Sequence, residues 1–329
     1  MRSYAVLRLP QIPPVTALLL AALLVSGGAQ GRTLPLDNGD ILVGELLHLQ
    51  TRYEDTFADL GEIHGLGYLE IIRANPEVDP WLPGEGTTVT LPTQHLLPSA
   101  PREGIVVNLA EYRLYHFRDG EVATYPVGIG TSTNPSPLTE THITMRLEQP
   151  AWYPPSSVRK QARERGETVP RMIPPGPDNP LGPFALQLEE AGYLIHGTNK
   201  RFGIGQQISH GCIRMYNDDI SRLVWQVEKG TQVRIVHEPV KAGVQDGIVW
   251  LQVHGQYEEL SDEEREQLWQ QTQAKLTGLQ LRHPEIELNR ARMEEAVDKA
   301  DGIPRRVGEQ LPESMAVHSR LHHETDDGA

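Results

Sequence analysis

Proline placement limits this chain more than any other feature. Eleven prolines fall between Pro135 and Pro183. Each fixes φ and removes a backbone donor, so proline breaks helix interiors and is confined to edges and bulges of sheets. The stretch reads as a long ordered loop across one face of a β core, and such loops often carry function. The 329 residues include 26 Pro and 30 Gly, a composition of turns and strands and not of a helical bundle. That length suggests about two domains plus extensions. Hydrophobic residues make up 38% and charged residues 22%, which permits a packed core. A formal charge of −14 argues against nucleic-acid binding, because phosphate recognition needs a surplus of Lys and Arg.

The N-terminus points to export. Arg2 and Arg8 precede an apolar run over residues 15–25, and Ser26-Gly27-Gly28-Ala29 supplies small residues. These are the three parts of a secretory signal peptide over residues 1–29, with an apolar core too short to span a bilayer. An exported mature chain is expected. Cys212 is the only cysteine, so an intramolecular disulfide is impossible. In an oxidising compartment a lone thiol is a liability unless it is used.

Residues 46–98 form a small α+β unit. Asp55 or Thr56 can cap a first helix, and Asn75-Pro76 stops a second. Leu82-Pro83-Gly84 turns the chain into a short strand over 87–91. The order strand, helix, helix, strand resembles a LysM module, which implies binding of N-acetylglucosamine-containing glycans. The carrying residues are Asp55-Thr56-Phe57, Ala74-Asn75-Pro76, Leu82-Pro83-Gly84 and Val89 to Pro92. Ser99-Ala100-Pro101 reads as a linker that would leave the unit a tether.

Residues 103–239 form the largest unit. A strand is expected at 104–109, and a hairpin at 113–127 turns on Asp119-Gly120. After the proline-rich loop, strands follow at 184–188 and 193–195. Asn217 is placed to cap a helix whose apolar face is Ile220, Leu223, Val224 and Val227. A strand at 231–236 closes the unit. Residues 240–300 give a hairpin turning at Asp246-Gly247, a helix capped by Ser261 and Glu264, and a second helix over about 286–300. From 301 to 329 the chain is polar and expected to be disordered. His318, His322 and His323 there read as solvated, not as metal ligands.

The chemistry concentrates between Ile195 and Met215. His196-Gly197-Thr198-Asn199 precedes Ser209-His210-Gly211-Cys212-Ile213-Arg214-Met215. A thiol attacks as thiolate, and a nearby imidazole can take its proton or pair with it as imidazolium. On an extended strand, His210 and Cys212 would share a face. His196, at a strand end, could meet Cys212 from a neighbouring strand. Gly211 lets a substrate approach the backbone and can orient amides toward an oxyanion. Arg214 offers a planar fork for a carboxylate. Zinc held by His196, His210 and Cys212 is disfavoured, because the usual Cys-x-x-Cys and His-Glu-x-x-His pairs are missing. A papain-like order, with the Cys before its His, and a Gly-x-Ser-x-Gly elbow are absent too.

Ser-His-Gly-Cys-Ile-Arg, with His-Gly-Thr-Asn beginning sixteen residues before the Cys, resembles the L,D-transpeptidase catalytic domain of YkuD type. The resemblance spans about 104–236. It includes Tyr125-Pro126-Val127-Gly128-Ile129-Gly130, Trp152-Tyr153-Pro154-Pro155 and Pro175-Gly176-Pro177-Asp178-Asn179-Pro180-Leu181-Gly182. One departure is the Thr-Pro-x-Gly run of the wider family, here Asn134-Pro135-Ser136-Pro137. The layout looks like Gram-negative periplasmic enzymes acting on peptidoglycan stem peptides. The resemblance implies a mainly β, sandwich- or barrel-like catalytic domain beside the LysM-like module and a partly helical extension. It implies Cys212 as nucleophile and His196 as base. Ser209, His210 and Gly211 become a supporting and oxyanion loop, and Arg214 a substrate contact. No metal or other cofactor is implied. The acyl group would pass to a diaminopimelate amine, an outer-membrane lipoprotein lysine, or water. A non-catalytic peptidoglycan binder is the rival, but it would have no need of the Cys212, His196 and His210 set.

Overall fold

The structure, a computed structural model, describes residues 32–37, 39–256 and 260–311. The signal-peptide reading of 1–29 and the three tail histidines lie outside the described residues.

One mixed nine-stranded sheet organises the middle of the chain. Its strands run in the order Arg32–Pro35, Glu121–Pro126, Arg113–Arg118, Gly104–Asn108, Gln232–Val236, Thr139–Glu148, Phe184–Leu188, Leu194–His196 and Ile213–Arg214. Two neighbouring pairs are parallel. Gly104–Asn108 lies along Gln232–Val236, and Leu194–His196 along Ile213–Arg214. The Asp119-Gly120 hairpin forms as its turn chemistry requires, both residues adopting positive φ. The Asn217–Gln226 helix lays Ile220, Leu223 and Val224 onto the sheet's apolar face, against Ile105, Ile143 and Leu186 among others. This burial removes apolar surface from water and is the main favourable term holding the layers together.

The proline-rich stretch is not a loop throughout. The ten-residue strand Thr139–Glu148 lies inside the sheet, between Gln232–Val236 and Phe184–Leu188. Proline governs its ends, at Pro137 and Pro150, and the residues between keep every N–H needed for pairing. Thr139, Thr141, Ile143 and Thr144 supply β-branched side chains suited to a pleated surface. A helix, Ser156–Glu164, follows directly on Pro154-Pro155, where a missing N–H costs nothing.

Residues 46–98 take the expected element order. Leu47–Gln50 pairs antiparallel with Thr88–Leu91, and helices Phe57–His64 and Tyr68–Ala74 lie between. Thr56 caps the first helix by accepting the Asp59 N–H. The linker is anchored. Ser99 N–H and Oγ both donate to the Glu238 carboxylate, at 2.9 and 2.5 Å.

The C-terminal unit is a four-stranded sheet carrying two helices, Asp262–Arg282 and Arg290–Lys299. The Asp246-Gly247 hairpin and the Ser261–Glu264 capping box are present. Two expectations need correction. The segment read as one helix over 286–300 begins with a strand, Ile286–Leu288, before Asn289 caps the helix. The segment read as disordered from 301 carries the strand Arg305–Gln310, paired on both sides. Its composition is polar, but Val307 is fully buried, and one buried side chain with two ladders of backbone bonds orders it.

Candidate active site

Two short strands assemble the site. Ile195 pairs with Ile213, and His196 with Arg214, in parallel. Paired residues of neighbouring strands project to the same face, so His196 and Arg214 stand side by side. Cys212 lies just before this strand. The Arg214 charge acts on both Cys212 and His196, which puts the guanidinium within the field of each.

His210 departs from expectation. The chain is not extended through 210–212: pairing stops at Ser209 and resumes at Ile213. Gly211 sits at φ 106°, and a Cβ there would stand 2.8 Å from the Tyr193 ring. Only glycine fits this bend. The bend sends the two side chains apart. His210 is exposed, with Nε2 3.0 Å from Gln161 Oε1 of the Ser156–Glu164 helix. Cys212 Sγ lies 3.6 Å from Gly192 O. Ser209 ties the bend, its Oγ accepting from Gly211 N–H at 3.1 Å and donating to Cys212 O at 2.5 Å. The Gly211 amide is therefore occupied by Ser209.

Electrostatics set the resting protonation. Burial, and then the Arg214 charge, push His196 down to about 4, so the imidazole is neutral at pH 7. Its Nδ1 lies 2.6 Å from Gly197 O, which can only accept. Nδ1 thus carries the proton, and the lone pair is on Nε2. Burial pushes the Cys212 thiol up, against the Leu194 amide and the Arg214 charge, which favour thiolate. At rest the two groups are a thiol and a neutral imidazole. Arg214 has its Nε buried with no hydrogen-bond partner among the described residues.

The comparisons bear on this arrangement. Residues 102–235 match YkuD, the L,D-transpeptidase catalytic domain. An Escherichia coli K12 protein described as a probable L,D-transpeptidase, YcfS, is 38% identical over 253 residues, covering 74% of this chain and 79% of that one. The chain belongs to the L,D-transpeptidase family. It is a cysteine transpeptidase, of a family that acts on peptidoglycan. A second relative, the probable L,D-transpeptidase ErfK/SrfK of Salmonella typhimurium, is 41% identical, with 70% of this chain and 77% of its own covered. The catalytic domain of an E. faecium L,D-transpeptidase solved by NMR overlaps 42% of this chain and 99% of its own, at 20% identity and a TM-score of 0.33.

Some residues that shape this L,D-transpeptidase's site escaped the sequence reading. Asn217 does not cap its helix; Tyr216 holds that position. The Asn217 Oδ1 instead accepts Thr198 N–H at 2.8 Å, fixing the segment that follows His196. Its cap-like composition concealed this longer reach. Gln161 and Tyr193 meet the Cys212 bend from elements that the proline count and a short turn obscured. Ser136, within the departure from the family run, also reaches the bend.

The N-terminal unit packs on the segment joining the two motifs. Tyr68 N–H donates to Ile204 O at 3.1 Å, and Tyr216 OH to Leu66 O at 3.3 Å. Arg201 bridges Asp59 at 2.8 Å and Glu62 at 2.6 Å. Gly67 and Gly205 meet backbone to backbone: a Cβ on Gly205 would lie 2.5 Å from Gly67 Cα.

Proposed function

We propose that Cys212 is the nucleophile and His196 its base, acting on the bond between diaminopimelate and terminal D-alanine of a tetrapeptide stem. The observation that carries this reading is the parallel pairing of His196 with Arg214. With Cys212 just before the strand of Arg214, it supports joint action of a neutral imidazole, a thiol and a half-buried cation. Because the pair rests neutral, the Cys212 proton passes to His196 Nε2 as Sγ bonds the carbonyl carbon of the diaminopimelate L-centre. The carbonyl π pair moves onto oxygen. Collapse breaks the C–N bond, and the imidazolium returns its proton to the departing D-alanine nitrogen. A thioester and a neutral imidazole remain.

An acceptor amine then attacks the thioester. Its nitrogen bonds the carbonyl, the S–C bond breaks, and its proton returns through His196 to Cys212. A diaminopimelate amine gives a 3→3 cross-link, a lipoprotein lysine gives an anchored lipoprotein, and water gives trimming. Transfer is the favoured outcome, since the family is one of transpeptidases. Arg214 has no carboxylate partner among the described residues, which supports a role in holding a stem-peptide carboxylate. Ser209 holds the bend. His210 supports it from outside through Gln161. The enzyme works in the periplasm, and the 46–98 unit binds glycan as a LysM-like module.

The test is release of D-alanine from tetrapeptide muropeptides. Cys212→Ala should release none while keeping its fold. In the wild type, kcat/KM should fall as pH drops through about 4, where His196 takes up a proton, and stay level from 5 to 8. Turnover by Cys212→Ala would end the assignment, and an acid limb near 6.5 would remove His196 as the buried neutral base. Product masses in the presence of a second stem peptide distinguish cross-linking from hydrolysis.

A further inference from the structure

The peptide joining Gly211 to Cys212 is held at one end by a residue from a different part of the chain. Ser136 Oγ donates to Gly211 O at 2.9 Å and accepts Gly130 N–H at 3.0 Å. Ser136 is 5% exposed, so both bonds form away from water, and an alternative partner is hard to find. Its neighbours Pro135 and Pro137 have no N–H to compete for the carbonyl and stiffen the approach. The peptide unit is planar and trans, so its C=O and N–H point in opposite directions. With Gly211 O fixed on Ser136, Cys212 N–H must point away from it. Among the described residues that N–H has no hydrogen-bond partner, while the Gly211 N–H is taken by Ser209. The free donor of the bend is thus the amide of the residue that bears the thiol.

We propose that Ser136 is a positioning residue that aims the Cys212 amide at the oxyanion formed when Sγ attacks the scissile carbonyl. The inference rests on Cys212 being the nucleophile. A preorganised donor acts at no cost of rearrangement in the transition state. Ser136 touches neither substrate nor thiol; it works through the Gly211–Cys212 peptide. The Asn134-Pro135-Ser136-Pro137 run, where this chain leaves the wider family's pattern, therefore keeps a task in the acyl-transfer step.

The experiment compares two reactions of the same sulfur. Attack on a stem-peptide carbonyl builds an oxyanion; alkylation by iodoacetamide displaces iodide at a saturated carbon and builds none. In Ser136→Ala, acylation by a tetrapeptide stem, read by intact-protein mass spectrometry, should slow about 10- to 100-fold, somewhat less than direct loss of an oxyanion donor. Alkylation across pH 5 to 8 should stay within about twofold, since the thiol's reactivity is unchanged. Ser136→Thr, which keeps the hydroxyl, should restore acylation. If Ser136→Ala does not fold, Ser136→Thr against the isosteric Ser136→Val makes the same comparison. Equal acylation with and without the hydroxyl overturns the proposal. So does a parallel fall in alkylation, which would show that Ser136 merely holds the thiol. A folded wild type that forms no acyl-enzyme at Cys212 would remove the nucleophile reading, and this proposal with it.

Discussion

Residues 46–98 and residues 240–311 both insert a charged side chain into the catalytic domain, and the first also bonds the backbone of the segment between the two motifs. Glu70 of the N-terminal unit reaches Arg113 at 2.6 Å, and Lys241 of the C-terminal unit reaches Glu111 at 2.6 Å. Around the second pair, Tyr115 OH donates to Glu111 at 2.9 Å, and His254 Nε2 lies 3.6 Å away. Gln252 adds a tie between units, accepting Leu96 N–H at 2.8 Å and donating to Gly302 O at 2.6 Å. These contacts serve cohesion. The contact of Gly67 and Tyr68 with Ile204 and Gly205 is different in kind, because 204–205 lie between His196 and Cys212. This contact favours a supporting role for the N-terminal unit over a purely tethering one.

The largest effect expected from this contrast is on stability and lies at the C-terminal junction. Lys241→Met leaves the Glu111 carboxylate buried without its main counter-charge, and breaking a buried pair costs about 3–5 kcal/mol. Thermal unfolding should show the loss, while D-alanine release per folded molecule stays at the wild-type level. The same cluster sets an acid response. Burial holds His95 and His254 neutral, far below 6.5, with the Lys241 charge adding to the effect on both. The unfolded chain takes up protons at these sites as pH falls below about 6.5 and the folded one does not, so stability declines with acidification. Removing Lys241 eases the shift and should flatten the dependence of Tm on pH. Loss of turnover without loss of stability would show that the C-terminal unit also shapes the site.

A second, smaller effect should appear in rate. Gly205 (φ +80°) and Gly247 (φ +72°) share a left-handed backbone, but a Cβ on Gly205 meets the Gly67 backbone, whereas one on Gly247 meets nothing within 4 Å. Both Gly→Ala changes carry the modest strain of positive φ. Gly205→Ala must in addition push the N-terminal unit off the 204–205 segment. A displacement of that size beside reacting groups can cost about 10²-fold. Acylation by a small soluble tetrapeptide should fall by that order in Gly205→Ala and hold within about twofold in Gly247→Ala. Equal rates in the two variants would return the N-terminal unit to the role of an independent tether.

These contacts explain what was legible in the sequence. Local rules were sufficient where neighbours in the chain decide the structure: the Asp119-Gly120 and Asp246-Gly247 turns, the Thr56 cap and the Ser261–Glu264 box all formed. The motif residues were visible because a lone thiol beside imidazoles is chemically unusual. Proline count misled, since the strand Thr139–Glu148 depends on where prolines are absent, not on how many flank it. The strand Arg305–Gln310 needed two partners distant in sequence to order a polar run. His210 was misplaced because alternation along a strand was carried through Gly211, whose positive φ interrupts it. Ser136 and Asn217 act across 75 and 19 residues of chain, and no local pattern encodes such reaches.

The smallest effect belongs to the ion pairs at the same contact as Gly205. Arg201 bridges Asp59 and Glu62 in a partly exposed setting, with side-chain exposures of 44%, 36% and 30%. Exposed pairs of this kind contribute about 0.2–1 kcal/mol each, because water screens the charges and two long side chains lose freedom. The backbone bond from Tyr68 to Ile204 and the glycine contact remain when Arg201 is removed. Arg201→Ala should therefore lower tetrapeptide acylation by no more than about threefold, and salt near 1 M should bring the wild type toward the variant, since screening there acts within about 3 Å. The measurement is the ratio of wild-type to variant acylation rates at low and high salt. A fall as deep as that of Gly205→Ala, insensitive to salt, would mean that Arg201 positions the segment directly. The close approach of the two glycines would then be a consequence of that clasp and not its cause.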